Sequence, residues 1–212
     1  MSVRALLRTF VLSCLAVLAA LPTVAVAHAA DPRPLFQLPF ACGETWWLTT
    51  YTGHDDYDID MFATSGATDN RPILASFAGT VAASGWDNYS GNYVKLRHGD
   101  DWETLYLHMK YAPMVSVGQS VRRGQQLGNV GSTGESGSPH LHYEQRVNGN
   151  KTQSYFNGVA SGITHNDHSY SVTRTSANCA SGTASIYGVL PDGRLTYTAV
   201  DAATGSRRQI RI

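Results

Sequence analysis

Charge is scarce in this 212-residue chain: Lys and Arg together number 16, Asp and Glu number 16, and the formal net charge is zero. With no basic stripe, the sequence lacks the electrostatic footprint of a nucleic-acid-binding protein, and none is expected as a partner. Helical periodicity is missing as well, since no long stretch repeats apolar residues at the spacing of an amphipathic helix. The H-E-x-x-H pattern is absent, so no helix supplies two zinc ligands and a glutamate base in the manner of many zinc peptidases. Cysteine is rare, at three residues.

Turn and strand chemistry fills the space left by these absences. Glycine is abundant, at 20 residues, and Tyr, Trp, Thr and Val are well represented, a mixture that favours β-structure with many turns. Residues 1–29 stand apart. Arg4 and Arg8 precede the apolar run "FVLSCLAVLAALPTVAVA", which ends in Ala27-His28-Ala29, the form of a secretory signal peptide. A membrane anchor is the competing reading, and the small-residue cleavage pattern argues against it; "VLSC" is a poor lipoprotein box because an apolar run follows Cys14. Removing this segment takes away two of the 16 basic residues and no acidic one, leaving 14 against 16 and a net charge of −2. The expected location is therefore outside the cell or in its wall, with no membrane attachment after cleavage. Cys42 and Cys179 remain, and an even pair in an exported chain implies a disulfide joining the start of the domain to its end.

After a short linker at 30–36, the main domain is expected over 37–179. "RPILASFAGTVAASGW" reads as strand, glycine turn, strand. "GNYVKLRHGDDWETLYLHM" reads as two strands around a polar turn, and "HLHYEQRVNGNKTQSY" as a hairpin about Asn148-Gly149. The fold class is mainly β, an antiparallel sheet. Residues 180–212 differ: strand-like runs flank Pro191-Asp192-Gly193 and another follows Thr204-Gly205, resembling one repeat of a tachylectin-type propeller, a unit that needs neighbours to bury its face.

The chemistry concentrates in histidines. In "SPHLHYE" (138–144), His140 and His142 are two apart, so in a strand they face one side while Leu141 packs behind. Such a pair is by itself more often incidental than functional. "GHDDYDIDMF" (53–62) adds His54 and the carboxylates of Asp55, Asp56, Asp58 and Asp60. A catalytic zinc takes three protein ligands from His and carboxylate and keeps one position open, and His54, one of these aspartates and His142 make such a set. An acidic Ca²⁺ loop is the alternative, but the glycine-centred EF-hand spacing is lacking. "ETLYLHMK" supplies His108. It and His140 are the candidates for accepting a proton and for stabilising an oxyanion, because an imidazole titrates near working pH.

Taken together, the H…D segment, "YLHM", "VSVGQSVRRGQQLGNVGSTG" and "GSTGESGSPHLHYE", in this order, resemble the M23 (LytM/lysostaphin-type) zinc metallopeptidases, which cut bacterial cell-wall peptides. The resemblance covers roughly residues 37–178. "LPFACGETWWLTTYTGH" and the stretch from Asn148 to Cys179 look closest to the β-lytic/staphylolysin branch. The resemblance implies a β-sheet with a groove, one Zn²⁺ per chain held by His54, an aspartate and His142, catalytic histidines at His108 and His140, and peptidoglycan peptides as substrate, glycine-rich ones among them. The common H-x-x-x-D spacing selects Asp58. A longer gap selects Asp60, which we prefer because "MFATSG" follows it; strand periodicity puts both on one face and does not choose. His98 is read as structural, His165 and His168 as a solvated loop, Glu144 as a supporting residue, Trp46, Trp47 and Trp86 as packing, and Tyr89 and Tyr155 as groove-lining. The chain is expected to act as a monomer. The competing function is a catalytically silent relative that binds cell wall or activates another hydrolase.

Overall fold

The computed structural model describes residues 32–165 and 167–179, together with the backbone of three strands between 184 and 211. The expected signal peptide lies outside the described residues. Thirteen strands precede residue 179: β1 (Thr45–Thr50), β2 (Ile59–Ala63), β3 (Pro72–Leu74), β4 (Gly79–Asp87), β5 (Gly91–His98), β6 (Trp102–Met109), β7 (Ser120–Val121), β8 (Gln126–Asn129), β9 (Leu141–Val147), β10 (Asn150–Thr152), β11 (Tyr155–Phe156), β12 (Val159–Ala160) and β13 (Tyr170–Thr175). Among the described residues there is no α-helix, as the missing periodicity predicts.

One sheet organises the domain, in the order β13-β1-β2-β9-β6-β5-β4-β7 with β10 added beside β9, and its pairings are antiparallel. Strand alternation gives it two unlike faces. One face carries Trp46, Leu48, Met61, Leu141, Tyr143 and Leu96, all fully buried in a single core. Ile73 of β3 and Leu127 of β8 belong to the same core, so the two-stranded β3–β8 sheet contributes to it. Phe40 stacks on Trp46 with ring centroids 3.3 Å apart. The opposite face carries Trp47 and Thr49, Asp60 and Phe62, and His142 and Glu144.

Local rules account for the joints. Asn148 and Gly149 both take positive φ, 51° and 76°, the two-residue hairpin turn that the dipeptide predicts between β9 and β10. His98 closes β5 as a structural residue. Its Nδ1–H donates to the Ala78 carbonyl at 2.9 Å, its Nε2 is 2.8 Å from the Thr104 hydroxyl, and the rings of Phe36 and Phe77 meet it edge-on. Cys42 and Cys179 form a disulfide with Cα atoms 4.7 Å apart across a separation of 137 residues.

Two expectations need correction. Residues 30–36 are not a free linker throughout: Phe36 is buried against Phe77 and Trp102, because an aromatic at this position finds an apolar pocket beside β6. Of the three tryptophans expected to pack, only Trp46 does. Trp47 and Trp86 are 46% and 57% exposed, because alternation sends Trp47 to the polar face and Trp86 lies near the tip of the β4–β5 hairpin. The tail forms a separate three-stranded antiparallel sheet of β14 (Ala184–Val189), β15 (Leu195–Val200) and β16 (Arg207–Arg211), matching the three strand-like runs of the sequence.

Candidate metal centre and active site

The site lies where β1, β2 and β9 run side by side. Asp60 is the register partner of His142 on one side and of Thr49 on the other. His54 enters from the β1–β2 connection, buried, with its ring stacked 4.7 Å under Tyr51 and its Nδ1 3.2 Å from the Thr50 hydroxyl. Because Nδ1 is engaged by Thr50, Nε2 is the nitrogen that faces the centre.

Three ligand atoms close on one point. His54 Nε2 and His142 Nδ1 are 3.3 Å apart, His142 Nδ1 and Asp60 Oδ1 are 3.0 Å apart, and His54 Nε2 and Asp60 Oδ1 are 3.5 Å apart. A tetrahedral zinc with bonds of about 2.0–2.1 Å requires ligand atoms about 3.3–3.4 Å apart, so this triangle fits one face of such a tetrahedron. The donor set, two imidazoles and a carboxylate, suits Zn²⁺ with an open fourth position.

Asp58 is buried on the other side of the same imidazole. Its Oδ2 is 3.3 Å from His142 Nε2 and accepts a 2.6 Å hydrogen bond from Lys151 Nζ. Asp58 therefore also groups with His54 and His142 as a set of possible metal donors. One imidazole cannot turn both nitrogens to the same ion, and it is Nδ1 that faces His54. Asp60 thus completes the triangle, while Asp58 addresses the far nitrogen. Glu144 Oε1 is 3.6 Å from that nitrogen, and Glu144 Oε2 accepts from Arg146 at 2.6 Å.

Charge states follow from these contacts. Burial alone would raise the carboxyl pKa of Asp60, but hydrogen bonds with His140 and His142 outweigh it and hold the group well below the carboxylate range. Burial opposes a charge on His142, yet Asp58, Asp60 and Glu144 around it raise its pKa well above the ordinary value. For Glu144 burial is likewise outweighed, by His142 and Arg146, and its pKa falls to about 2.

His140 and His108 face the triangle. His140 Nδ1–H donates to the Ser138 carbonyl at 2.8 Å, and its Nε2 is 3.3 Å from Asp60 Oδ1. His108 Nδ1–H donates to the Thr133 carbonyl at 2.9 Å, and its ring centroid is 4.9 Å from that of His140. A carbonyl only accepts, so in both residues Nδ1 carries a proton, and in neutral His108 Nε2 keeps its lone pair. Burial, reinforced by the neighbouring His140, lowers the pKa of His108 to about 4 and keeps it neutral. Alternation alone would point His108 away from the site, because Leu107 is the register partner of His142. The backbone breaks that alternation: His108 takes φ 62°, its N–H donates to the Ser90 carbonyl, and a bulge interrupts the pairing between Asn92 and Val94.

Around these groups a cleft of about 640 Å³ opens, walled by Tyr51 on one side and by Tyr89 with residues 135–138 on the other. Of the two tyrosines expected to line it, Tyr89 does. Tyr155 is not among its walls, since its ring packs beneath the Arg33 guanidinium at 3.9 Å and its strand pairs with β12. His165 and His168 are exposed beside Asp56 and Asp167 and do not join the centre. Sequence reasoning missed Tyr51, Thr50 and Lys151; only Tyr51, three residues before His54, offered a local signal. The carbonyls of Ser138 and Thr133 had none.

A β-sheet domain with a His–Asp–His ligand triangle and two further imidazoles facing it defines a class of histidine–carboxylate metal-centre proteins. The particular family follows from comparison: residues 55–154 match the model of Peptidase family M23, and the chain belongs to that family. It is 44% identical over 78 residues to the peptidoglycan DD-endopeptidase ShyC of Vibrio cholerae, a match covering 37% of this chain and 18% of that one. With the DD-carboxypeptidase/endopeptidase Mpg of Neisseria meningitidis it shares 41% identity over 105 residues, covering 50% and 21%. Among solved structures, the catalytic domain of the antimicrobial peptidase lysostaphin from Staphylococcus simulans is 32% identical, with 52% of this chain and 80% of that chain covered and a TM-score of 0.41. The chain spans about a fifth of the length of the curated relatives it matches.

Proposed function

We propose that the chain is an exported, monomeric, zinc-dependent endopeptidase that hydrolyses peptide bonds of bacterial peptidoglycan, in stem or cross-bridge peptides and including glycine-rich ones. The observation that carries this reading is the closed triangle of His54 Nε2, Asp60 Oδ1 and His142 Nδ1, with edges of 3.0–3.5 Å. These three residues hold one Zn²⁺ per chain. When bound, the metal supplies Lewis acidity, polarising the scissile carbonyl and lowering the pKa of water toward about 7.

The chain's own groups do the rest. Thr50 engages Nδ1 of His54, and Asp60 engages Nδ1 of His142 while Asp58 and Glu144 lie beside its Nε2, so both rings are oriented before metal arrives. His140 and His108 both line the cleft, each anchored through its Nδ1–H to a backbone carbonyl. One takes the proton of the attacking water and returns it to the leaving amine; the other, after taking a separate proton from solvent, donates a hydrogen bond to the developing oxyanion. Tyr51, Tyr89 and residues 135–138 line the cleft in which a peptide would lie. The name of the relative ShyC, a peptidoglycan DD-endopeptidase, supports a cell-wall peptide as the substrate class.

The test pairs two measurements on the mature chain and on His142→Ala: bound zinc, and solubilisation of purified peptidoglycan. One zinc per wild-type chain, with metal and activity lost together in the variant, is expected. Full zinc without turnover on several wall types would replace this reading with the silent wall-binding one.

A further inference from the structure

The cleft does not end at the metal centre. On the site's face of the sheet, two rows of side chains run across the strands. The first passes from His142 through Asp60 and Thr49 to Ser171. The second begins at His140, whose ring lies 5.5 Å from that of Phe62 and nearly parallel to it. Phe62 is the register partner of Trp47, and Trp47 of Thr173. The second row is therefore aromatic from His140, just before β9, across β2 and β1, and reaches the sheet edge at β13. Trp47 is 46% exposed, an unusual state for the residue with most apolar surface to bury.

Its frame is chemically uniform. Thr45 and Thr49 flank Trp47 along β1, and Ser171, Thr173 and Thr175 face it from β13, with the Thr45 and Thr175 hydroxyls 2.9 Å apart. These are neutral groups that both donate and accept. A charged peptide side chain would meet no counter-charge among them. A pyranose ring suits them: its axial C–H bonds carry partial positive charge toward the negative face of the indole, and its hydroxyls match those of Thr and Ser.

We infer that Trp47, with its border of Thr and Ser hydroxyls, is a saccharide-binding shelf that seats a neutral sugar ring of the glycan strand beside the cleavage site. The inference rests on the peptidoglycan reading above and extends it to the glycan. Strands are spaced about 4.8 Å, so Trp47 lies about 10 Å from His140, the length of roughly three extended residues. A sugar on the shelf and a bond at the metal centre are thus connected by a short peptide stem.

The test titrates a peptide-free N-acetylglucosamine hexamer into the mature chain, following tryptophan fluorescence and heat, for wild type, Trp47→Ala and Trp47→Tyr. Saturable binding is expected in wild type, about tenfold weaker in Trp47→Ala and largely restored in Trp47→Tyr. In turnover, the ratio of KM on intact sacculi to KM on a sugar-free wall peptide is expected to rise in Trp47→Ala. Absence of saccharide binding, equal binding by wild type and Trp47→Ala, or an equal rise of KM on both substrates would overturn the shelf. Peptide hydrolysis without saccharide binding removes the shelf alone. Saccharide binding without zinc or hydrolysis removes the peptidase reading and leaves the shelf standing.

Discussion

At the scale of single residues, Asp58 and Asp60 are the instructive pair. Both are buried, both approach His142, and a period of two cannot separate them. Strand pairing separates them: Asp60 is in register with His142 and touches its Nδ1, whereas Asp58 meets Nε2 and Lys151. The sequence thus carried the residue types and the doublet His140/His142, but which carboxylate stands in register with His142 is a cross-strand contact that no local pattern encodes. Asp60→Ala is expected to abolish stoichiometric zinc binding. Asp58→Asn, which alters the contacts with Lys151 and with the far nitrogen of His142, is expected to retain zinc with affinity about 10–100-fold lower. Competition with a chelator of known affinity measures both, and the reverse ranking would make Asp58 the ligand. His108→Ala and His140→Ala leave the triangle intact. Each is expected to keep one zinc and to lose about 10²–10⁴-fold in turnover, read from zinc analysis beside the rate of peptide release.

At the scale of elements, the strands were legible wherever alternation and turn residues agreed, as in the β9–β10 hairpin around Asn148-Gly149. They were not legible where the backbone departs from the ideal strand. His108 reaches the cleft only because of its left-handed φ and the bulge beside it, and Trp47 does not share the packing of Trp46 because alternation puts it on the other face. The groove wall has a comparable constraint. Gly134 takes φ 74°, and a Cβ there would lie 2.2 Å from the backbone nitrogen of Gly91, because the β4–β5 hairpin and the loop carrying Glu135 touch backbone to backbone. Gly134→Ala is expected to push the two apart and cut turnover at least tenfold while zinc remains bound, since no ligand belongs to either loop. Steady-state kinetics beside metal analysis tests this, and unchanged kinetics would mean that the wall does not position substrate.

The join of β4, β5 and β6 titrates. His98 is held by the Ala78 carbonyl, the Thr104 hydroxyl and the rings of Phe36 and Phe77, and burial lowers its pKa to about 4. In the unfolded chain the same ring takes up a proton near the ordinary value of about 6.5. Between these values the unfolded state binds more protons than the folded one, so the contribution of neutral His98 is complete above about pH 6.5 and is lost as pH falls toward 4. The shift corresponds to about 3 kcal/mol. Denaturant midpoints from pH 7 to 4 should fall more steeply for wild type than for His98→Asn, and parallel slopes would show that His98 is not the group responsible.

For the whole molecule, the core and the clasp are separate sources of stability. One apolar cluster spans the sheet and includes the β3–β8 layer, so the domain does not depend on a cross-link to form its core. The disulfide was readable from cysteine count and export alone. It draws the segment before β1 to the segment after β13, the start and the end of the domain, as the cysteine positions predict. Hydrogen bonds repeat the same closure. The Ser176 hydroxyl donates to the Phe40 carbonyl, the Asn178 side-chain amide donates to the carbonyls of Leu38 and Ala75, and the Gly43 N–H donates to the Ser176 carbonyl. The native ends therefore meet without the sulfur bridge, and the bridge acts chiefly by removing open conformations of a 137-residue span from the unfolded chain. That loop length corresponds to about 4–5 kcal/mol in the chain-entropy model, or about 10–15 °C in Tm for a chain of this size. The double variant Cys42→Ala/Cys179→Ala is accordingly expected to melt lower by that amount yet bind zinc and turn over normally well below its Tm, because no ligand or cleft residue lies near either cysteine in the chain. Calorimetry with and without reductant, beside zinc content at 25 °C, measures it. Loss of metal at a temperature where the variant is still folded would show instead that the clasp holds the site itself in register.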